Sequence, residues 1–362
     1  MENKLVRVGI TQGDACGVGY EIILKAFEDG TLSDMCVPIV YGSPKVATWH
    51  RKVMDLTTNF SLVDDADQAQ TGRLNMISCY DEEVKVDFGQ ISAESGQSAF
   101  VCLKKAVEDW RAGKIDVLLT APISKESIQS EDFKFVGHTE YLEQETGDGA
   151  SALMILMSPV MKVALVTTHL PIKDIAAAIT KEKIVSKGEI FNRSLKKDFC
   201  ISIPRIAVLS LNPHAGDGGL LGTEEQEVIL PAIQELRDKN IQCFGPYAAD
   251  GFFGRGLYRH FDGVLAMYHD QGLAAFKALS DNDGVNYTAG LPLVRTSPDH
   301  GTAFDIAGKG EANENSFRQA LYTAIDVWRN RQIDAEIYAN PMRIVSLERE
   351  GRERREDRDI IM

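Results

Sequence analysis

"GVLAMYHDQG", Gly263 to Gly272, opens as an uninterrupted apolar run of strand length and ends in His269 and Asp270. An apolar run without alternation suits a strand buried on both faces, the kind that fills a parallel sheet between two helix layers. "VALVTTH" ends likewise at His169, and "IAVLSLNPH" at His214. "LVRVGI" (5–10), "CVPIVYG" and "DVLLTAP" read as further strands. Helical patterns separate these runs. In "YEIILKAFEDG", Ile22, Ile23, Ala26 and Phe27 share a helical face. "AFVCLKKAVEDWRAG" and "TEEQEVILPAIQELRDKN" are two more, the latter opening at Thr223 as an expected N-cap. The alternation predicts an α/β fold with mostly parallel sheets.

The chain has 362 residues, enough for two such domains. Lys and Arg number 39 against 53 Asp and Glu, a net charge of −14. That balance leaves no broad basic surface, which argues against nucleic acid or an anionic membrane as partner. The six cysteines are scattered without a CxxC pair and read as reduced packing residues. "MENKLVRVGI" leads directly into a strand, and no long apolar segment follows, so a cytoplasmic enzyme is expected.

In an open parallel sheet, ligands collect beyond the carboxyl ends of the strands. Three imidazoles delivered there, from His169, His214 and His269, would suit a divalent metal with open coordination positions. Asp270 would orient one of them. Each histidine taken alone reads more readily as a strand cap or a loop hydrogen-bonding group; it is the threefold repeat of one context that points to a shared site. "VGHTEYL" places His138 and Thr139 at a helix start suited to an anion, although Thr139 also serves as an ordinary N-cap. Lys277, Asn286 and Arg295 follow around apolar strands. Arg295 leaves a buried run, where a cation needs a partner; a structural salt bridge would satisfy it as well as a substrate anion would.

"GITQGDACGVGYE" (9–21) sits where a dinucleotide fingerprint would, but Gly13, Gly17 and Gly19 have the wrong spacing. It reads as a tight turn with Asp14 near the crevice. The better cofactor candidate is "SPDHGTAFDIAGKGEAN" (297–313), which resembles the adenosine-binding loop of isopropylmalate and isocitrate dehydrogenases.

With "ITQGDACGVGYE", "GHTEYL", "TTHLPI", "LNPHAGDGG", "MYHDQGLAAFK" and "GLPLVRTSPDHGTAFDIAG" in order, the chain resembles the 4-hydroxythreonine-4-phosphate dehydrogenase family of pyridoxal phosphate biosynthesis. The resemblance runs from about Val6 to Trp328. It departs in the first motif, where Gln12, Ala15, Cys16, Val18 and Tyr20 replace the usual residues.

The resemblance implies two α/β/α domains of the isocitrate and isopropylmalate dehydrogenase type, not Rossmann, with the active site in the cleft between them. The expected division is discontinuous: 1–130 with 305–340, then 131–304 carrying the metal ligands and cofactor loop, then a charged tail over 341–362. It further implies a homodimer with each active site at the subunit interface, where one histidine serves the neighbouring subunit. His169, His214 and His269 would hold one divalent ion (Zn, Mg, Mn or Co). His138, Thr139, Lys277, Asn286 and Arg295 would hold substrate. NAD would lie on Asp299, His300, Gly301, Thr302, Ala303 and Asp305, with no nearby cation before Lys309 to favour NADP. The implied reaction oxidises 4-phosphooxy-L-threonine to a 3-keto acid and decarboxylates it to 3-amino-2-oxopropyl phosphate. For the base, Lys277 with a depressed pKa comes first, then Asp250 or Asp270. Oxidation of phosphoerythronate or a cis-dihydrodiol, a three-histidine metal hydrolase and a catalytically idle binding protein are the competing readings.

Overall fold

The computed structural model describes residues 4–80, 84–130, 133–146, 149–280 and 282–340. The charged tail over 341–362 lies outside the described residues. The strands are β1 (Val6–Thr11), β2 (Cys36–Gly42), β3 (Phe60–Leu62), β4 (Leu74–Ser78), β5 (Val117–Thr120) and β6 (Leu153–Met157). The second half adds β7 (Lys162–Leu165), β8 (Arg205–Leu209), β9 (Gln242–Tyr247), β10 (Gly263–Ala266), β11 (Val285–Ala289) and β12 (Val294–Pro298). Each of the apolar runs read as a strand forms one. β2, β5 and β10 are buried along their whole length, as strands covered on both faces must be.

All twelve strands belong to one sheet, in the order β3-β4-β2-β1-β5-β12-β11-β6-β7-β10-β8-β9. From β3 to β12 the pairing is parallel, and so it is from β7 to β9. Between these blocks β12–β11, β11–β6 and β6–β7 are antiparallel. The parallel reading therefore holds for both flanks, and the sheet is continuous through an antiparallel centre. β12, which falls in the stretch 131–304, pairs with β5 from the N-terminal part.

The long helix Asn315–Ala339 returns to cover β5, β11 and β12. A buried polar clamp fixes its far end. Arg331 donates to Asp198 at 2.7 Å, to the Tyr287 hydroxyl at 2.9 Å and to the carbonyl of Pro292 at 2.8 Å. Tyr287 donates to the same Asp198 carboxylate at 2.7 Å. The helical segment after Thr223 begins as read, but its first turn is π-wound over Glu225–Ile229 and is held by the Thr223 carbonyl, without a side-chain cap.

Asp14 does not face the crevice. It is buried and accepts from Ser95 Oγ at 2.5 Å, Ser127 Oγ at 2.8 Å and the Cys16 amide at 2.9 Å. It thereby ties the glycine turn to the turn that follows β5. Gly17 packs against the backbone of Thr302, where a Cβ would clash, and the Val18 amide donates to the Thr302 carbonyl at 3.0 Å. The glycine-rich turn is thus a support for the 297–313 loop.

Candidate active site

The antiparallel centre of the sheet makes the floor of a cavity of about 270 Å³. Side chains two apart on a strand share a face, and Met154 with Leu156, Asn286, and Arg295 with Ser297 all point into it. Register places them side by side: Asn286 pairs with Leu156 and Ser297, and Thr288 with Met154 and Arg295. The walls come from Ala121–Lys125 after β5, from residues 137–140, and from His169 and His269 beyond β7 and β10.

Arg295 is 3% exposed, and no carboxylate lies within salt-bridge distance among the described residues. Its guanidinium donates only to hydroxyls: to Thr120 at 2.6 and 3.1 Å and to Thr288 at 3.2 Å. Burial lowers its pKa to about 10, only partly offset by Glu140. A buried cation served by neutral acceptors alone has charge left to answer an anion. Asn286 contributes a buried side-chain carbonyl with no partner.

The helix His138–Thr146 starts at the cavity, so Thr139 lies inside its first turn and is not its N-cap. His138 is half-buried. Its desolvation, reinforced by the Arg295 and Lys125 cations, keeps its pKa well below the ordinary histidine value.

His169 and His269 have ring centroids 5.7 Å apart. Their strand exits are locked together, since Thr167 donates to the Met267 carbonyl through both its amide (3.1 Å) and its hydroxyl (2.7 Å). His269 Nδ1 is 2.7 Å from the Asp270 carboxylate, and His269 lines the cavity. His169 Nε2 is 3.1 Å from Lys125 Nζ, and burial followed by this cation lowers the His169 pKa.

His214 does not line this cavity. It is exposed on a loop whose residues from His214 to Gly218 all have positive φ, and buried Glu225 braces that loop by accepting from the Leu211 and Asn212 amides at 2.8 Å. Within one chain, then, two of the three expected imidazoles converge, and the described residues contain no set of three metal-ligating His, Cys, Asp or Glu groups.

The helix His269–Leu279 lays His269, Leu273 and Lys277 along one face at four-residue spacing, and all three reach the cavity. Lys277 donates to the Asp299 carbonyl at 3.0 Å and its Nζ lies 3.6 Å from the Asp299 carboxylate; its side chain is exposed. Asp250 is exposed and lines neither this cavity nor the next one, and Asp270 is committed to His269.

A second cavity, of about 400 Å³, adjoins the first and shares Lys277, Asp299 and His300 with it. Val18, Ala303, Ile306 and Ala312 give it apolar walls, and Asn282, Asn313 and Asp299 give it polar ones. Buried Nε2 of His300 has no partner. Burial raises the Asp299 pKa. Gly301 lines the first cavity, Thr302 supports the glycine turn, and Asp305 is exposed. The sequence reading missed Lys125 and Glu140 in the first cavity. Their local strings carry no periodic or motif signal beyond the "GHTEYL" match.

Comparison with known proteins places residues 34–324 on the model of the family described as "Pyridoxal phosphate biosynthetic protein PdxA". A 4-hydroxythreonine-4-phosphate dehydrogenase of Bacteroides thetaiotaomicron is 60% identical over 359 residues, 99% of this chain and 97% of that protein. A D-threonate 4-phosphate dehydrogenase of Cupriavidus necator is 39% identical over 89% of this chain and 97% of its own. Among solved structures, the 4-hydroxythreonine-4-phosphate dehydrogenase of Klebsiella pneumoniae matches with a TM-score of 0.78 and 33% identity, over 90% of this chain and 99% of that one.

Proposed function

Because the chain belongs to the pyridoxal phosphate biosynthetic protein PdxA family, we propose that it is a dehydrogenase that oxidises the C3 hydroxyl of 4-phosphooxy-L-threonine with NAD. Bound NAD would supply the hydride acceptor for C3, and the hydroxyl proton would go to a base. The resulting 3-keto acid loses carbon dioxide to give 3-amino-2-oxopropyl phosphate. The observation that carries this reading is Arg295: a buried guanidinium without a carboxylate partner among the described residues, facing a cavity that adjoins a second one.

In this reading the first cavity takes the substrate, with Arg295, His138, Thr139 and Asn286 on its phosphate and carboxylate. The second takes NAD. Its apolar walls suit the rings, Asp299 and the asparagines suit ribose hydroxyls, and His300 Nε2 awaits a partner. Among the described residues its one lining Lys or Arg is Lys277, which already pairs with Asp299 and leaves none for a 2′-phosphate. Lys277 stands at the seam of the two cavities and is the base in its neutral form: its ammonium proton first passes to solvent, the free amine then takes the hydroxyl proton, and Asp299 holds the side chain in place.

His169 and His269 supply part of a metal shell, but one chain does not complete it. We assign the missing ligand to His214 of a second copy in a homodimer, consistent with its exposure on a braced loop. A divalent ion, when bound, supplies Lewis acidity to the substrate oxygens. The D-threonate relative keeps a second substrate in view. The test is a panel of 4-phosphooxy-L-threonine, D-threonate 4-phosphate and their dephosphorylated forms, read by nicotinamide reduction with added divalent ions. Highest kcat/KM on 4-phosphooxy-L-threonine supports the proposal, and preference for D-threonate 4-phosphate overturns it.

A further inference from the structure

We infer that Lys125 is a further substrate-binding residue, which joins Arg295 in holding a phosphate dianion in the first cavity. This rests on the reading that the substrate is phosphorylated. Lys125 sits on the turn after β5, and β5 is the strand whose Thr120 receives the Arg295 guanidinium and which pairs with β12. The two cations therefore enter the cavity from neighbouring strands.

The turn that carries Lys125 is rigid. Buried Ser124 and Ser127 brace it internally at 3.2 Å, Ser127 Oγ donates to Asp14, and the Asp14 amide donates to the Pro122 carbonyl at 2.9 Å. The fully engaged Asp14 thus positions a lysine. Lys125 itself has no acid within salt-bridge distance among the described residues, and its ammonium contacts only His169 Nε2. Glu140 stands close by, since its Oε2 and Lys125 Cε both come within 4.0 Å of where a Gly137 Cβ would stand, yet the two side chains form no salt bridge.

One cation suffices for a carboxylate; a dianion is better matched by two. His138 lies close enough to feel both, and it stays neutral between them, able to donate one hydrogen bond. Lys277, by contrast, has its charge answered by Asp299. The His169 lone pair can serve either Lys125 or a metal ion, so a bound ion frees Lys125 for substrate.

The test titrates inorganic phosphate into the full-length protein as purified, by calorimetry, comparing wild type, K125M and K125R, with NADH affinity as the control. K125M should weaken phosphate binding about ten- to hundredfold, K125R should restore most of it, and NADH affinity should stay unchanged. Phosphate affinity unaltered in K125M overturns the inference, as does an equal loss of NADH binding or a wild type that ignores phosphate. A wild type that binds phosphate through Lys125 but fails to oxidise 4-phosphooxy-L-threonine supports the inference and removes the proposed reaction.

Discussion

Replacing Arg295 by methionine should move stability and activity in opposite directions. The guanidinium is 3% exposed and carries no carboxylate partner. Burial pulls its pKa from 12.5 to about 10, which corresponds to about 3 kcal/mol of uncompensated desolvation. A cation whose folded pKa is lowered is destabilising wherever it is charged in the folded state. Both values lie above neutrality, so the cost is present in full at pH 7 and fades only as pH rises through the folded value. Methionine keeps the length of the side chain and removes the charge. It leaves two threonine hydroxyls without their donor, which returns about 1–2 kcal/mol of the gain. Denaturant unfolding of the substrate-free protein should therefore show R295M equal to wild type or more stable by about 1–2 kcal/mol. At the same time kcat/KM on the phosphorylated substrate should fall about ten- to hundredfold. Substrate should raise the melting temperature of wild type but not of R295M. A variant that loses more than about 2 kcal/mol of stability yet retains its kcat/KM would make Arg295 a structural residue and refute the reasoning.

Three further outcomes are expected. His50 is buried, donates through Nε2–H to the Ala15 carbonyl at 2.8 Å, and has its pKa lowered to about 4 by burial. The unfolded chain binds a proton there below about pH 6.5 while the native state does not, so stability should fall by about 1.4 kcal/mol per pH unit between these values. Unfolding curves for H50F should lack that component. Breaking the Asp198–Tyr287–Arg331 clamp with R331M should cost about 3–5 kcal/mol, since it strands a buried carboxylate; a shift under 1 kcal/mol in chemical unfolding would count against a stabilising role. NAD should be preferred to NADP by at least about tenfold in kcat/KM, because among the described residues no unpaired cation lines the second cavity; equal efficiencies would show that the 2′-phosphate sits elsewhere.

The sequence carried the pattern information by itself. Apolar runs such as "GVLAMYH" are buried strands because their composition leaves no polar face to solvate, and the flanking helices are legible from their period. Strand ends place His169 and His269, whereas only the structure shows the helix that sets Leu273 and Lys277 on one face with His269. What depended on distance across the chain was not legible. Arg295 and Thr120 are 175 positions apart, and only the pairing of β12 with β5 shows that the arginine meets hydroxyls in place of an acid. The antiparallel centre escaped the parallel reading because β6, β11 and β12 carry the same β-forming residues in either direction, and direction is set by which edge each strand finds. Asp14 looked like a crevice residue until Ser95 and Ser127, more than 80 positions away, took both its oxygens. Lys125 carried no local signal, because an anion site is made by the absence of a neutralising neighbour, and neighbours are what tertiary structure alone decides.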